Sequence, residues 1–203
     1  MSVCYIVGAG ECERVPKICK GDFLIAADGG YDALKRQNIT PDLLVGDLDS
    51  INNLPSGIET LRFKPQKDET DMHLSYLEGA KRGYTHFEIY GGTGGRSDHT
   101  FANYSLLLYI ANNGHTARLI GKHDTALVIK NGETVLDFDT KGKYFSIFAI
   151  GGDAHGVTIK NAKYEVENAS LTPDFPLGVS NEFCDTPPIV KVECGAVLII
   201  CEG

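Results

Sequence analysis

The chain has 203 residues, of which 42% are hydrophobic and 23% are charged, and its formal net charge is -8. A chain of this size can bury a core of its own, either as one large domain or as two small ones. The 27 acidic residues outnumber the 19 basic ones and would repel a phosphate backbone, which argues against a nucleic-acid partner.

No apolar run approaches the roughly 20 residues that a membrane helix needs. The opening MSVCYIVGAG lacks the basic head and the length of a secretory signal. We therefore expect a cytoplasmic protein with no membrane partner. The six cysteines form no CxxC pair and stand mostly in or near apolar strand-like runs, which predicts reduced, buried thiols rather than disulfides or zinc ligands.

Over the first 120 or so residues, short apolar runs ending in Gly or Asp alternate with helix patterns. The runs predicted as buried parallel strands cover residues 4–8, 23–28, 42–47, 60–63, 86–92 and 117–121. Helices are predicted over 30–37, over 70–82 with Met72, Tyr76, Leu77 and Ala80 inward, and over 98–112 with Phe101, Leu107, Leu108 and Ala111 inward. This alternation predicts an α/β domain with a parallel sheet covered by helices.

From about residue 123 the pattern changes. Asn131-Gly132 stands between two strand-like runs, which is a strong hairpin signal. Further strand-like runs follow with turn residues between them, the last two being 188–195 and 196–203, and no helix pattern appears. We therefore predict a smaller all-β domain, a sandwich or small barrel. The boundary is placed between residues 121 and 124, which gives domains 1–122 and 123–203.

Acidic side chains follow several of the predicted parallel strands or open the helices after them: Asp28, Asp47, Asp49, Asp68, Asp71 and Asp98. In an open parallel sheet these positions meet at one edge, where ligands bind. Taken singly, each acid is explained by a turn or a helix cap. Taken together, they carry a repulsion that folding does not require. A divalent cation would remove it, and magnesium prefers one or two protein carboxylates together with substrate phosphates.

The segment GGTGGRSDHT, residues 91–100, has the features of a phosphate site. Its four glycines let the backbone approach a ligand, Arg96 supplies a charged fork, and the helix that begins next favours anions at its N-terminus. The segment lacks the Walker A pattern, and a flexible turn is the alternative. Lys67 and His99 are further candidates for contacts with phosphate or nucleotide, although a solvated lysine and a histidine at the rim of the sheet explain them equally well.

Five segments resemble thiamine pyrophosphokinases in their order and nearly in their spacing: ADGG (27–30), PDLLVGDLDS (41–50), QKDETD (66–71), GGTGGRSDH (91–99) and SNEF (180–183). The resemblance covers essentially the whole chain. It implies a nucleotide-binding α/β domain followed by a β-sandwich domain, paired as a homodimer with active sites between subunits. It also implies transfer of a diphosphoryl group from ATP to thiamine, giving thiamine diphosphate and AMP.

The resemblance assigns roles by motif. A magnesium and diphosphate centre would consist of Asp28, Asp47, Asp49 and Asp71, lined by Gln66, Lys67 and Asp68. ATP would be bound by Gly92, Gly94, Gly95, Arg96, Asp98 and His99, and thiamine by Ser180 and Asn181. Asp71, one helical turn beyond Asp68, is expected to contact or deprotonate the thiamine hydroxyl. Some relatives pack a tryptophan near thiamine, but this chain has no Trp, so we expect an aromatic residue such as Phe183 to replace it.

Two other classes of function fit part of the sequence. DLDS after an apolar strand is similar to the motif of aspartyl-nucleophile phosphatases, in which the first Asp is phosphorylated, but that hypothesis leaves the glycine-arginine segment and the β domain unused. A non-catalytic sensor of thiamine or nucleotide is the second. Release of inorganic phosphate without ATP would favour the phosphatase, and binding without AMP production would favour the sensor.

Overall fold

The structure, a computed structural model, describes residues 2–15, 17–47, 57–63, 68–137 and 142–203. These residues form two compact units. The first consists of Met1–Leu106 with His115–Lys122, and the second of Leu107–Gly114 with His123–Gly203. No helix among the described residues is long and apolar enough to span a bilayer.

The first unit alternates strands and helices. Its elements are β1 Cys4–Val7, β2 Phe23–Ala27, α1 Gly30–Arg36, β3 Leu43–Gly46, β4 Glu59–Arg62, α2 Asp71–Lys81, β5 His86–Tyr90, α3 Ser97–Asn112, whose last turns cluster with the second unit, and β6 Thr116–Ile120. The six strands pair in the order β6-β5-β1-β2-β3-β4, and every pair is parallel. The predicted strands and helices are found, with boundaries shifted by one or two residues, but the prediction that every strand is buried is wrong for β4, which is exposed or half-buried throughout and ends the strand order, and for β6, which is buried only on alternate residues.

The central strands of this unit form because their sequences are apolar on both faces. All residues of β1 and β3 are buried, as expected for strands covered by helices on both sides. One core cluster joins Val7, Leu24, Ala26, Leu34 and Leu44. This buried sheet holds the carboxyl ends of its strands in fixed positions, and the candidate site lies there.

The helix faces predicted from the sequence need two corrections. On α2 the buried residues are Met72, Ser75, Tyr76 and Gly79, a helical i, i+3, i+4, i+7 pattern, and Leu77 lies at its exposed edge. On α3, Phe101 is 73% exposed, whereas Ile110 is fully buried. Nine residues are about two and a half helical turns, so Phe101 and Ile110 lie on opposite sides of α3, and the prediction that Phe101 points inward is wrong.

The second unit contains antiparallel strands. They are β7 Asp124–Val135, β8 Tyr144–Ala149, β9 Ala154–Lys160, β10 Val166–Leu171, β11 Gly178–Glu182 and β12 Ile189–Glu202. The first part of β12 pairs with β9 and its second part with β8. Side chains from β8, β9 and β12, including Phe145, Val157 and Ile199, share one core.

The hairpin predicted at Asn131-Gly132 is wrong. β7 continues through both residues and pairs with β12 along its length, and the register shifts between Val192 and Ala196. Asn131 has φ +46, and its Oδ1 accepts a hydrogen bond from Gly195 N at 2.9 Å. The left-handed asparagine therefore forms part of a bulge rather than a turn. For the same reason the two runs predicted over 188–195 and 196–203 form a single strand.

All six cysteines are free. Cys4 and Cys201 are buried, and burial raises the pKa of both thiols to about 12, so both are protonated at neutral pH. The prediction of burial is wrong for Cys19, Cys184 and Cys194, which are exposed. Cys194 lies within the register shift of β12, where the strand no longer alternates regularly between its inward and outward faces.

Candidate active site

A cleft of about 380 Å³ lies in the first unit, at the carboxyl ends of β1, β2 and β5. Its walls are formed by the loops that follow these strands and by the first turns of α2 and α3. Of the residues predicted from the sequence, it brings together Asp28, Asp71, Gly92, Gly95, Arg96 and His99. The edge of the sheet at which ligands were expected is therefore where the cleft is found.

Asp28 follows β2 directly and has φ +45, a conformation in which non-glycine residues are uncommon. Its backbone is fixed on both sides. The N–H donates to Val45 O at 2.7 Å, and the carbonyl accepts from Tyr31 N at 3.2 Å, at the beginning of α1. The left-handed backbone ends the strand while the side chain lines the cleft.

Asp71 is the first residue of α2. The helix is capped by Thr70, whose side-chain oxygen accepts from His73 N at 3.2 Å. The backbone carbonyl of Asp71 accepts from the buried hydroxyl of Ser75 at 2.7 Å. The cap and this buried bond fix the first turn of α2, so Asp71, which lines the cleft, is held by a rigid backbone.

The glycine-rich loop, residues 91–95, is joined to the segment that follows β1. The N–H groups of Gly8, Gly10 and Glu11 donate to the carbonyls of Tyr90, Gly91 and Thr93 at 2.8, 2.8 and 3.1 Å. Gly91 has φ +64, and an added Cβ there would lie 2.4 Å from Gly8 O. Only glycine fits at so close an approach. The carbonyls of Gly91 and Thr93 are thus bonded to protein, whereas the hydrogen bonds of the described residues include none donated by the N–H groups of 91–95.

Arg96 and Asp98 form a two-point ion pair at the beginning of α3. Arg96 Nε lies 3.1 Å from Asp98 Oδ1, and Arg96 Nη2 lies 2.6 Å from Asp98 Oδ2. The hydrogen bond from the guanidinium holds the pKa of Asp98 below its ordinary value and raises that of Arg96. Arg96 lines the cleft. Asp98 is not among the lining residues, and its contact with the cleft runs through the guanidinium that it orients.

Other predicted residues lie elsewhere. The described lining of the cleft does not include Asp47, Asp68 or Gly94. Asp47 follows β3 and is half-buried, while Asp68 precedes α2 and is exposed. The remaining three candidates, Asp49, Gln66 and Lys67, fall outside the described residues.

The carboxylates were predicted to hold magnesium. Across the described parts of the chain, no group of three or more His, Cys, Asp and Glu side chains is arranged to bind a metal ion. Two of the four predicted ligands, Asp28 and Asp71, line the same cleft. Hard oxygen donors from one or two carboxylates are the usual protein share of a magnesium site in which substrate phosphates supply the rest. The donor set therefore fits magnesium bound together with a nucleotide.

In the second unit, Ser180 is exposed, has φ +59, and its N–H donates to Ser146 Oγ at 3.1 Å. Asn181 is buried and bonded to the backbone of Tyr164: its Oδ1 accepts from Tyr164 N at 3.0 Å, and its Nδ2 donates to Tyr164 O at 2.8 Å. Phe183 packs on the core, with its ring centroid 5.0 Å from that of Phe145. The structure thus gives Asn181 and Phe183 roles in holding their own unit together.

Several lining residues were not named from the sequence. Glu69, Thr70, Thr93 and Thr100 lie inside the predicted site segments, whereas Gly8, Ala9, Gly10 and Asn103 lie outside them. A signal for Gly8, Ala9 and Gly10 was present, because YIVGAG ends an apolar strand with glycines, the pattern that identified the loop after β5. No comparable signal marked Asn103, which lies in the middle of a helical segment.

Two family models match the chain. One, described as "Thiamin pyrophosphokinase, catalytic domain", matches residues 16–119. The other, described as "Thiamin pyrophosphokinase, vitamin B1 binding domain", matches residues 129–199. Together they span most of both units.

Named relatives agree with these matches. Thiamine pyrophosphokinase from Bacillus subtilis (strain 168) is 26% identical over 210 residues, which cover 98% of this chain and 98% of the relative. Thiamin pyrophosphokinase 1 from Caenorhabditis elegans is 28% identical over 196 residues, covering 89% and 79%. The crystal structure of thiamine pyrophosphokinase from Bacillus subtilis superposes with a TM-score of 0.90 at 25% identity, over 99% of each chain.

Proposed function

The chain belongs to the thiamine pyrophosphokinase family, enzymes that transfer a diphosphoryl group from ATP to thiamine, and on this premise we propose that the cleft of the first unit is where ATP binds and reacts. The observation that supports this most is the meeting of two kinds of group in one cleft. Asp28 and Asp71 line it together with Arg96 and the glycine-rich loop. Carboxylates suited to a cation and donors suited to an anion are what a metal-bound triphosphate requires.

On the phosphate side, the glycine-rich loop would bind the triphosphate through its backbone. Gly92 and Gly95 line the cleft, and Gly94 lies between them in the same loop. Consecutive N–H groups that have no acceptor among the described residues would form a concave site for an anion, and the N-terminus of α3 would add a favourable dipole. Arg96, oriented by Asp98, would contact a phosphate oxygen, and His99 the nucleotide. Gln66, Lys67 and Asp68 stay predicted contacts of the magnesium and diphosphate centre.

Magnesium would be held by Asp28, Asp71, Asp47 and Asp49, and when bound it would neutralise charge on the phosphates. The chain's own residues then do the positioning. The hydroxyl oxygen of thiamine forms a bond to the β-phosphorus of ATP, the bond from that phosphorus to the oxygen bridging the α- and β-phosphates breaks, and AMP leaves with that oxygen. Asp71 would accept the proton of the hydroxyl. Holding the two reactants in line supplies most of the acceleration.

The second unit would supply the thiamine site. The matched regions support a catalytic domain over 1–122 and a thiamine-binding β-sandwich over 123–203, because the catalytic-domain model lies within the former and the vitamin B1 model within the latter. Ser180 and Asn181 stay the predicted thiamine contacts. The homodimer with active sites between subunits, and the cytoplasmic location, likewise stay predictions. Analytical ultracentrifugation would test the dimer.

The direct test is incubation with ATP, magnesium and thiamine, followed by chromatography for AMP and thiamine diphosphate. We expect one AMP for each thiamine diphosphate. Asp71→Asn should abolish the reaction while the circular dichroism spectrum and the thermal midpoint are retained. The matched control is Asp32→Asn, since Asp32 is an exposed acid in the first turn of α1 and does not line the cleft. An Asp71→Asn variant as active as the wild type would remove Asp71 from the mechanism.

A further inference from the structure

Asn103 is a buried polar residue in the middle of α3. It is 5% exposed, and its Nδ2 donates to the carbonyl oxygen of Gly92 at 2.8 Å through a buried hydrogen bond. The same residue lines the cleft. A buried amide in a helix interior costs free energy unless it is bonded, so its bond to the glycine-rich loop explains why a polar residue stands there.

This bond completes the anchoring of the carbonyls from residue 90 to residue 93. Three of the four carbonyls from residues 90 to 93 accept from the backbone of the segment after β1. The fourth, that of Gly92, accepts from Asn103. In the described part of the chain, the Asn103 side chain therefore bonds one of the four carbonyls from residues 90 to 93, and backbone N–H groups bond the other three.

The loop has little room to compensate if this bond is lost. A Cβ added to Gly92 would lie 2.5 Å from Leu119 Cδ1 and 3.0 Å from Asn103 Nδ2, so the peptide at Gly92 is closely packed on both. The carbonyl of Gly92 and the N–H of Thr93 belong to one rigid peptide plane and point in opposite directions. By fixing the carbonyl, Asn103 also fixes the direction of the Thr93 N–H, and Thr93 lines the cleft.

We propose that Asn103 is a positioning residue for ATP, which aligns the amide groups of the glycine-rich loop with the triphosphate through its bond to Gly92. The proposal rests on the proposed assignment of this cleft to ATP. A positioning role and a purely structural role of Asn103 predict different kinetics. Loss of the bond should weaken the use of ATP much more than the use of thiamine, whereas general destabilisation would affect both substrates alike.

The test compares Asn103→Leu and Asn103→Asp with the wild type. Both variants keep nearly the same side-chain shape, and neither a methyl group nor a carboxylate donates a hydrogen bond. We expect kcat/KM for ATP to fall about tenfold or more, as expected for a buried carbonyl left without its donor. The KM for thiamine should stay within about twofold.

Asn103→Asp provides a second readout that does not depend on how Asn103→Leu folds. A protonated carboxyl donates a hydrogen bond, and a carboxylate does not. Position 103 is buried, and burial raises the pKa of a carboxyl group. The activity of Asn103→Asp relative to the wild type should therefore rise as the pH is lowered from about 8 towards about 5. The matched control is Asn113→Leu, because Nδ2 of Asn113 also donates to a backbone carbonyl at 2.8 Å, that of Tyr109, but is exposed.

ATP binding measured by calorimetry without thiamine separates this proposal from the proposed function. A wild-type protein that binds ATP but forms no AMP would count against the proposed function. If both Asn103 variants then bind ATP more weakly than the wild type, the role of Asn103 is still supported. Unchanged ATP affinity in Asn103→Asp, or an equal loss for ATP and thiamine, would overturn the inference.

Discussion

Replacement of Gly10 by alanine should separate the segment that follows β1 from the glycine-rich loop, both of which line the cleft. A Cβ at Gly10 would lie 2.6 Å from Gly91 O and 2.6 Å from Thr93 O, and both are backbone atoms that cannot rotate away. Restoring an ordinary contact of about 3.4 Å requires a displacement of about 0.8 Å. The bond from Gly10 N to Gly91 O is 2.8 Å long and would lengthen to about 3.6 Å, beyond a hydrogen bond.

The expected loss of stability follows from the hydrogen bonds that the substitution breaks. The neighbouring bond from Glu11 N to Thr93 O, at 3.1 Å, would be lost with the first. Two hydrogen bonds of about 1 kcal/mol each, together with residual overlap, give a loss of about 2–4 kcal/mol in the free energy of unfolding. Because the displaced loop is the proposed triphosphate site, kcat/KM for ATP should also fall by about tenfold or more.

Urea unfolding and steady-state kinetics with varied ATP would measure both effects. The control is Gly132→Ala, since a Cβ at Gly132 has its nearest neighbour at 3.5 Å, an ordinary contact, and its φ is not positive. This variant should unfold and react like the wild type. If Gly10→Ala stays within about 0.5 kcal/mol of the wild type and keeps its KM for ATP, the reasoning from the joined loops is refuted.

Two further predictions concern residues chosen from the sequence. Asn181→Leu should lower the free energy of unfolding by about 1–3 kcal/mol, because the buried amide of Asn181 bonds both the N–H and the carbonyl of Tyr164; a variant as stable as the wild type in urea would contradict this. Arg96 holds the pKa of Asp98 below the ordinary pKa of an aspartate. The ion pair should therefore be fully formed at any pH above the ordinary aspartate pKa, and it should be lost as the pH falls through the lowered pKa of Asp98. NMR titration of the Asp98 carboxyl should show a higher midpoint in Arg96→Met, and an unchanged midpoint would argue against the pair in solution.

The alternation of apolar runs with helical patterns fixed the order of elements in the first unit, because burial on both faces of a parallel strand leaves a continuous apolar run. Acids and glycines at the ends of these runs then identified part of the cleft. Asp28, Asp71 and Arg96 were found in this way, since the carboxyl ends of parallel strands meet at one edge. These inferences needed only periodicity and strand direction, which are properties of short segments.

Tertiary structure alone decided how distant segments share their hydrogen bonds. The hydrogen bond from the backbone of Gly10 to Gly91, and the one from the side chain of Asn103 to Gly92, require polar groups from different elements to come within 3 Å of each other, and no local pattern encodes such a meeting. The same holds for Asn131, which forms a bulge because β12 supplies a partner across the sheet. Local sequence sets what each segment can form, whereas the pairing of polar groups is settled when the buried core brings the segments together.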